Sequence, residues 1–168
     1  MTKPPSGGSG GGGLPVDSSL LFKLVRVVNL TARPFQETIA RQHRLSLNEW
    51  RVMVVLASHA GGAVATDVVE ATGLDKMAVS RALAALEKEG RLLRAGDPAD
   101  QRRSHLRLSA AGRRLFAKLG TQARLREAGL FSGVKAAELA RLDATLDKLI
   151  AGLLRTDDGD GGAAPGDG

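Results

Sequence analysis

The chain has 168 residues, and its 24 Lys and Arg against 18 Asp and Glu give a formal net charge of +6. It contains no Cys, which excludes disulfides, thiolate metal ligands, a cysteine nucleophile and a thiol-based peroxide sensor. No stretch reaches the ~18 consecutive apolar residues of a transmembrane helix, and the opening residues lack the apolar core of a signal peptide. These features predict a cytoplasmic protein without a membrane partner.

Glycine-rich segments mark both ends of the chain. Residues 1–16 contain six Gly and residues 156–168 contain five, and such segments bury too little apolar surface to offset chain entropy. We therefore predict a disordered Gly-rich head (1–16) and a disordered acidic tail (156–168) around one domain, residues 17–155. That domain holds 23 basic and 14 acidic side chains, a charge of +9. The excess favours an anionic partner such as nucleic acid, although a generally basic protein would also show it.

The first part of the domain has helical patterns. Segment 17–33 carries apolar residues at helical spacing, with Asp17 as the expected N-cap. Pro34 either kinks this helix or begins a second segment, 34–44. Ser46 stands three residues before Glu49, as in a capping box, and this pattern predicts a helix over 47–59.

Two short helices and a tight turn follow. Thr66 is expected to cap a helix over 67–72, which Gly73 ends with a left-handed residue. Asp75 is expected to cap the next helix, 76–89. A helix, a tight turn with Gly and a second helix have the spacing of a helix-turn-helix.

A hairpin pattern comes next in the sequence. Residues 91–95 and 104–108 predict two strands joined by a turn-rich loop, and Ser109 is expected to cap a helix over 110–127. A helix-turn-helix followed by a β-hairpin is a winged helix. The predicted fold class is therefore mainly α with a small β-hairpin wing.

The last predicted helix covers about 135–155, and its leucines repeat at intervals of three and four residues. This repeat is a heptad seam, narrower than the apolar stripe of a helix that faces a core. Packing within one chain would explain the seam, but we favour a subunit interface because it lies beyond the compact winged region. The apolar first helix is expected to take part. The residues predicted to form the dimer are Leu20, Leu21, Leu24, Leu139, Leu142, Leu146, Leu149 and Leu153.

The helix over 76–89 has two contrasting faces. On a helical wheel, Val79, Leu83 and Leu86 face the core. The opposite face has small and basic residues without an acid and can enter a major groove ~12 Å wide. Arg81 can pair with guanine or clamp a phosphate; the alternative is a solvated surface arginine. The helical residues predicted to bind DNA are Thr66, Lys76, Met77, Ala78, Ser80, Arg81 and Lys88.

The wing region, 91–107, carries five Arg against two Asp. An arginine at a hairpin tip can enter a narrow minor groove, where the negative potential is greatest. We predict DNA contacts from Arg94, Arg102 and Arg103, with Asp100 bracing the Arg102 guanidinium. A plain polar turn is the alternative.

The run from Gly73 to Leu115 resembles the signature of the MarR family of bacterial regulators. Leu74-Asp75-Lys76 opens the recognition helix, and Val79-Ser80-Arg81 is its centre. Asp97-Pro98-Ala99-Asp100-Gln101-Arg102 matches the wing, and residues 45–57 match the helix before the DNA-reading pair. The resemblance covers residues 17–155 and is specific over about 45–115.

The resemblance implies a homodimeric winged-helix repressor or activator that binds a pseudo-palindrome in double-stranded DNA. It places the winged helix-turn-helix at 45–112 and the dimerisation helices at 17–44 and 113–155. It also implies a bacterial cytoplasmic protein, associated with the nucleoid when bound to DNA, and a ligand near the junction of the two parts. A small aromatic or phenolic effector is expected, with Trp50 and His43 as weak pocket candidates, although a core position is favoured for Trp50.

Four residues depart from the family pattern, and one of them is Lys135, which stands where a Ser or Thr commonly caps the last helix. Met77 and Ala78 stand where small polar residues are common in the family. We therefore expect base recognition to depend on apolar contact with thymine methyl groups. Arg91 replaces the usual apolar residue after the glycine and adds charge near the base of the wing.

Other functional classes are less favoured. A winged-helix module that binds protein and not DNA remains the alternative, but the uncovered basic face argues against it. An enzyme is disfavoured because the sequence has no Walker loop or H-E-x-x-H motif. His43, His59 and His105 lack metal-ligand spacing, so that no metal or cofactor is expected. Methionine oxidation at Met53 or Met77 is the remaining redox route, and no sequence feature favours it.

Overall fold

The computed structural model describes residues 19–59, 61–96 and 104–159, apart from the side chains of residues 36, 38 and 156–159. These residues fall into two compact units, and the boundary lies within one helix after Phe116. The predicted N-cap Asp17, the Gly-rich head, most of the tail and the wing residues Asp100, Arg102 and Arg103 lie outside the described residues. Within the described ranges, none of the helices combines the length and apolarity that crossing a membrane requires.

The chain begins with a long helical path. Helix α1, Leu20–Pro34, starts at Ser19, whose hydroxyl accepts a hydrogen bond from the Phe22 N–H. A π-helical segment, Phe35–Ala40, and a short helix, α2, Arg41–His43, continue the path after the proline. Since a proline inside a helix lacks an N–H and crowds the preceding turn, the wider π turn follows directly on it. Of the two expectations for Pro34, a disturbed helix is therefore the one the structure shows.

Helix α3, Leu47–Ser58, begins at the predicted cap. The Ser46 hydroxyl oxygen accepts from the Glu49 N–H at 3.2 Å and donates to the Glu49 carboxylate at 2.8 Å. The second bond of this cap therefore runs from the Ser46 hydroxyl to the Glu49 carboxylate, and not from the Ser46 backbone N–H as in a capping box. Val52, Met53 and Leu56 are buried and form the centre of the first unit.

Helix α4, Ala65–Thr72, begins two residues earlier than predicted. Thr66 is its second residue, so the prediction that Thr66 caps this helix is wrong. The N-cap position belongs to Val64, which has no polar side chain, and the Asp67 carboxylate accepts its N–H at 3.0 Å. Gly73 ends the helix as predicted, with φ 63.

Helix α5, Lys76–Lys88, has the predicted cap and the predicted buried face. The Asp75 carboxylate accepts the Ala78 N–H at 2.7 Å. Val79, Leu83 and Leu86 are buried, in agreement with the helical wheel. The turn after the helix contains Gly90 in a left-handed conformation, φ 65.

The hairpin consists of β1, Leu92–Gly96, and β2, Ser104–Leu108. The strands pair antiparallel with Leu92 opposite Leu108. Ala63 adds a single bridge to Leu106 through backbone bonds of 2.8 and 3.1 Å. Leu92, Leu106 and Leu108 are buried and attach the hairpin to the helices. This arrangement confirms the predicted winged helix.

Helix α6, Ala110–Phe131, leaves the wing through a tight junction. Ser109 caps it as predicted, accepting the Gly112 N–H at 3.0 Å and donating to the Gly90 carbonyl at 2.7 Å. A Cβ at Gly112 would overlap the Arg91 carbonyl oxygen. The helix start therefore packs directly on backbone at the base of the hairpin.

The two long helices extend beyond their predicted ends. Helix α6 runs to Phe131, past the expected end at 127, and helix α7, Ala136–Gly159, runs past the expected end at 155. The predicted boundary of the acidic tail is therefore wrong by four residues. The reason is local, since no glycine or proline interrupts the chain between Gly152 and Gly159.

Candidate nucleic-acid interface

The outward face of α5 is exposed along its length. Its first turn contains no acid, and the Met77 side chain is 64% exposed. Within the described part of the chain, neither Arg81 nor Lys88 has a salt-bridge partner. The face therefore offers unpaired cations between small side chains. Its exposed members are Lys76, Met77, Ser80, Arg81, Ala84 and Lys88.

Ala78 does not belong to this face. It is 7% exposed and lies in one i, i+4 row with the buried Ala82 and Leu86. Residues four apart lie on the same side of a helix, so this row faces the core. The prediction that Ala78 contacts DNA is corrected accordingly.

Thr66 remains an exposed residue in the first turn of α4. Because the Asp67 carboxylate supplies the cap bond, the Thr66 hydroxyl is not needed for one. Its predicted contact with DNA stays a prediction.

Arg94 is exposed on β1 and is partly neutralised by α5. Its Nε lies 3.6 Å from a carboxylate oxygen of Glu87. Exposed ion pairs of this kind contribute about 0–1 kcal/mol. A phosphate can therefore replace the Glu87 carboxylate at little energetic cost.

Two other arginines near the wing serve the fold. The Arg91 guanidinium donates to the carbonyls of His43 and Arg44 at 2.5 and 3.0 Å, where α2 ends. The Arg107 guanidinium donates twice to the Gly61 carbonyl, at 3.0 and 2.6 Å. Arg91, which the sequence predicts to add charge near the base of the wing, therefore binds the end of α2. Carbonyl groups at a helix C-terminus favour such a cation.

An open cavity of about 350 Å³ lies within the first unit, beside the end of α3. Arg107, Arg113 and His59 line it together with apolar residues that include Phe116. Arg113 also donates to the Leu108 carbonyl at 2.8 Å, which holds its guanidinium in place. The lining contains no acid and consists of Leu56, Ala57, His59, Arg107, Leu108, Arg113 and Phe116.

Neither of the pocket candidates from the sequence lines this cavity. Trp50 is half-buried in an aromatic cluster, stacked on Phe116 with ring centroids 5.2 Å apart and tilted against Phe35 at 6.3 Å. His43 is half-buried, and its carbonyl accepts from Arg91. The sequence could not indicate His59 and Arg113, because α3 and α6 bring them together from distant positions. No group of three or more acidic or histidine side chains in the described ranges could hold a metal ion.

The apolar surface of α1 is uncovered. None of its fifteen residues, all of which the structure describes, is buried. Leu20 and Leu21 are 72% and 71% exposed, and Leu24 is exposed as well. A helix with a wide apolar face normally buries that face against another element.

The leucines of the α7 seam differ in exposure. Leu139, Leu142 and Leu146 line a groove of about 400 Å³ together with Phe131 of α6. Leu142, Leu149 and Leu153 are exposed, whereas Leu139 and Leu146 are half-buried. The seam therefore keeps exposed leucines along its length.

A capped recognition-type helix after a glycine turn, followed by an antiparallel hairpin, defines a winged-helix protein. The family model of the MarR family matches residues 44–103, which hold the helix-turn-helix and most of the wing. Together with the structural neighbours below, this match shows that the winged-helix part of the chain is similar to the MarR family of transcriptional regulators.

Solved structures support this similarity. A MarR/EmrR family regulator from Acinetobacter sp. ADP1 is 25% identical with a TM-score of 0.76, over 84% of this chain and 99% of that one. BpsR of Bordetella bronchiseptica, whose DNA binding is regulated by 6-hydroxynicotinic acid, is 28% identical with a TM-score of 0.66, over 76% and 95%.

A third structure shows the fold alone. CouR from Rhodococcus jostii RHA1, bound to p-coumaroyl-CoA, is 21% identical with a TM-score of 0.72, over 82% of this chain and 96% of that one. A comparison with curated proteins finds no significant match.

Proposed function

We propose that this chain is a sequence-specific DNA-binding regulator that represses transcription by occluding a pseudo-palindromic operator as a homodimer. The observation that carries the proposal is the outward face of α5. Its opposite side is buried, its N-terminus is fixed by Asp75, and its exposed side chains are small or basic apart from Met77. A rigid helix with such a face fits the major groove.

The basic residues have different roles in this proposal. Arg81, near the middle of the face, reads a base edge, whereas Lys76 and Lys88 contact phosphates. Arg94 exchanges the Glu87 carboxylate for a phosphate. Arg102 enters the minor groove beside each half-site, with Arg103 as the next candidate, a role that rests on the sequence and predicts better binding to A·T-rich flanks.

The homodimer is supported by the uncovered leucines of α1 and of the C-terminal half of α7. Burying apolar surface contributes roughly 25 cal/mol per Å², so an exposed face of this width favours association with a second copy. Two copies would present two α5 helices to successive major grooves, about 34–36 Å apart.

A small effector that releases the DNA is supported by the cavity beside α3. Its apolar residues accommodate a ring, and the Arg107 and Arg113 guanidiniums attract a carboxylate or phenolate. BpsR responds to a hydroxylated aromatic acid, and NadR, 22% identical, is solved with 4-hydroxyphenylacetate. We therefore propose an aromatic effector with one anionic group.

Binding to selected DNA tests the function. Duplexes are selected from a random library, and their affinity is compared with that of a scrambled duplex for wild type and Arg81→Ala. We expect Arg81→Ala to lose ~1–3 kcal/mol on the selected duplex and less on the scrambled one. Arg141→Ala, which removes an exposed arginine of α7, is the charge-matched control and should leave the preference intact.

Two results of this experiment would count against the proposal. An equal loss on both duplexes would restrict Arg81 to phosphate contact. A wild-type protein that binds no duplex, even at low salt, would favour the protein-interaction module instead.

The effector proposal has a separate test. Heat-induced unfolding is followed with 4-hydroxyphenylacetate and with its uncharged alcohol analogue, 2-(4-hydroxyphenyl)ethanol. The acid should raise the midpoint in wild type and fail to do so in Arg113→Met, whereas the alcohol should have little effect on either. Stabilisation by both compounds would show that the guanidiniums of the cavity do not recognise the anion.

A further inference from the structure

One reactive side chain lies near the N-terminal end of the proposed DNA-reading face. Met77 is 64% exposed, whereas Met53 is 0% exposed in the core of the same unit. An oxidant in solution therefore reaches the Met77 thioether and is excluded from that of Met53. With no Cys in the chain, no thiol competes with Met77 for that oxidant.

The position of Met77 gives its oxidation a consequence. Met77 lies in the first turn of α5, and Arg81 lies four residues later on the same exposed face. Side chains at i and i+4 are neighbours on a helix surface. A sulfoxide oxygen at Met77 would thus stand within reach of the Arg81 guanidinium as a new hydrogen-bond acceptor.

We propose that Met77 is an oxidation site that switches off DNA binding, an inference that rests on the proposed function. A peroxide transfers one oxygen atom to the Met77 sulfur: the O–O bond breaks, the S–O bond forms, and the peroxide leaves as water or an alcohol. The sulfur is oxidised by two electrons, and the peroxide is reduced by two. Methionine sulfoxide reductases reverse the change, with a dithiol that is oxidised to a disulfide as the two-electron reductant and with the oxygen leaving as water.

Oxidation changes the face in two ways. The apolar side chain becomes polar. The sulfoxide oxygen must therefore lose its bound water before Met77 can contact the groove. The same acceptor also captures Arg81 in competition with the DNA. Leaving a buried polar group unpaired costs enough to weaken binding about tenfold or more.

The test treats the full-length protein with hydrogen peroxide and follows two readouts. Peptide mass mapping measures the gain of one oxygen at Met77 and at Met53, and fluorescence anisotropy measures affinity for the selected duplex. We expect Met77 to oxidise first, affinity to fall about tenfold or more, and treatment with methionine sulfoxide reductases to restore it. Duplex present during the treatment should protect Met77 and leave the rate at Met53 unchanged.

Two substitutions separate Met77 from other oxidation events. Met77→Leu keeps the size and apolarity of the side chain and removes the sulfur, so its affinity after peroxide should equal its own affinity before peroxide, whatever that starting value is. Met53→Leu removes the buried thioether and should lose affinity after peroxide as wild type does. Loss of affinity in peroxide-treated Met77→Leu would overturn the switch.

The outcomes also distinguish this inference from the function on which it rests. Untreated protein that binds no duplex would overturn the proposed function and the switch together. Untreated protein that binds, combined with Met77 sulfoxide that binds equally well, would overturn the switch alone. Oxidation of Met53 as fast as Met77 would contradict the claim that surface position selects Met77.

Discussion

Helices α1 and α5 are similar in length and differ in what covers their apolar residues. Every apolar residue on the inner side of α5 is buried, and its exposed side is basic. In α1, by contrast, leucines and valines are exposed along the whole helix. The two helices therefore present different surfaces, since α1 exposes apolar side chains and α5 exposes basic ones. This difference is the basis for the proposal that α1 packs against a second copy of the chain.

Truncation of a buried leucine in α5 should have the largest effect on stability. Leu86 is fully buried, so Leu86→Ala removes packing and leaves a cavity that costs about 2–5 kcal/mol. Leu21→Ala in α1, measured by urea unfolding at a concentration too low for association, should cost less than about 0.5 kcal/mol. Similar losses for the two variants would show that α1 is covered within the single chain.

Charges on the exposed leucines should abolish association. Leu21→Glu with Leu24→Glu, or Leu149→Glu with Leu153→Glu, places carboxylates on the proposed interface, and we expect at least 100-fold weaker dimers, ~2.7 kcal/mol. Leu93→Glu is the matched control, since Leu93 is an exposed leucine of the wing. Sedimentation measures the oligomeric state. A wild-type protein that sediments as a monomer at micromolar concentration would refute the dimer.

Removal of the α5 cap should have an intermediate effect. The Asp75 carboxylate accepts the Ala78 N–H at 2.7 Å, and Asp75→Ala should cost about 1 kcal/mol of unfolding free energy. Asp75→Asn keeps an acceptor and should recover most of that loss. Asp147→Ala, which removes an exposed carboxylate from α7, controls for the change in net charge. Equal effects of Asp75→Ala and Asp147→Ala would argue against the cap.

The smallest predicted effect concerns Lys88 at the end of the α5 face. Each phosphate contact contributes about one unit to the slope of log affinity against log salt. Lys88→Ala should therefore lower the magnitude of that slope by about one and weaken binding to all sequences alike. Titrations at several salt concentrations measure it, with Arg141→Ala as the control. An unchanged slope would remove Lys88 from the interface.

Much of the first unit could be predicted from neighbouring residues in the sequence. The caps at Ser46, Asp75 and Ser109 and the glycine end at Gly73 were all expected. Each of these features depends on a hydrogen bond that spans three or four residues, so the necessary partners are adjacent in the chain. The cap of α4 was missed because the acceptor is an acid inside the helix, Asp67.

The roles of the arginines could not be predicted in this way. Arg91 and Arg107 look like wing charges in the sequence, but their carbonyl partners lie 46 to 48 positions away. Only the packing of α2 and the α3–α4 turn against the hairpin brings these groups together. The cavity between Arg107 and Arg113 arises from the same packing.

The sequence by itself determined the order of the elements, the buried positions of Val79, Leu83 and Leu86 in α5 and the resemblance to the MarR family, because helix period and turn chemistry are local properties. The tertiary structure decided which of the groups that look exposed in the sequence are exposed in the folded protein. It buried Ala78 and Met53 and left Met77 exposed. These outcomes depend on the exact rotation of each helix against its neighbours, which contacts between distant residues set and local propensities do not.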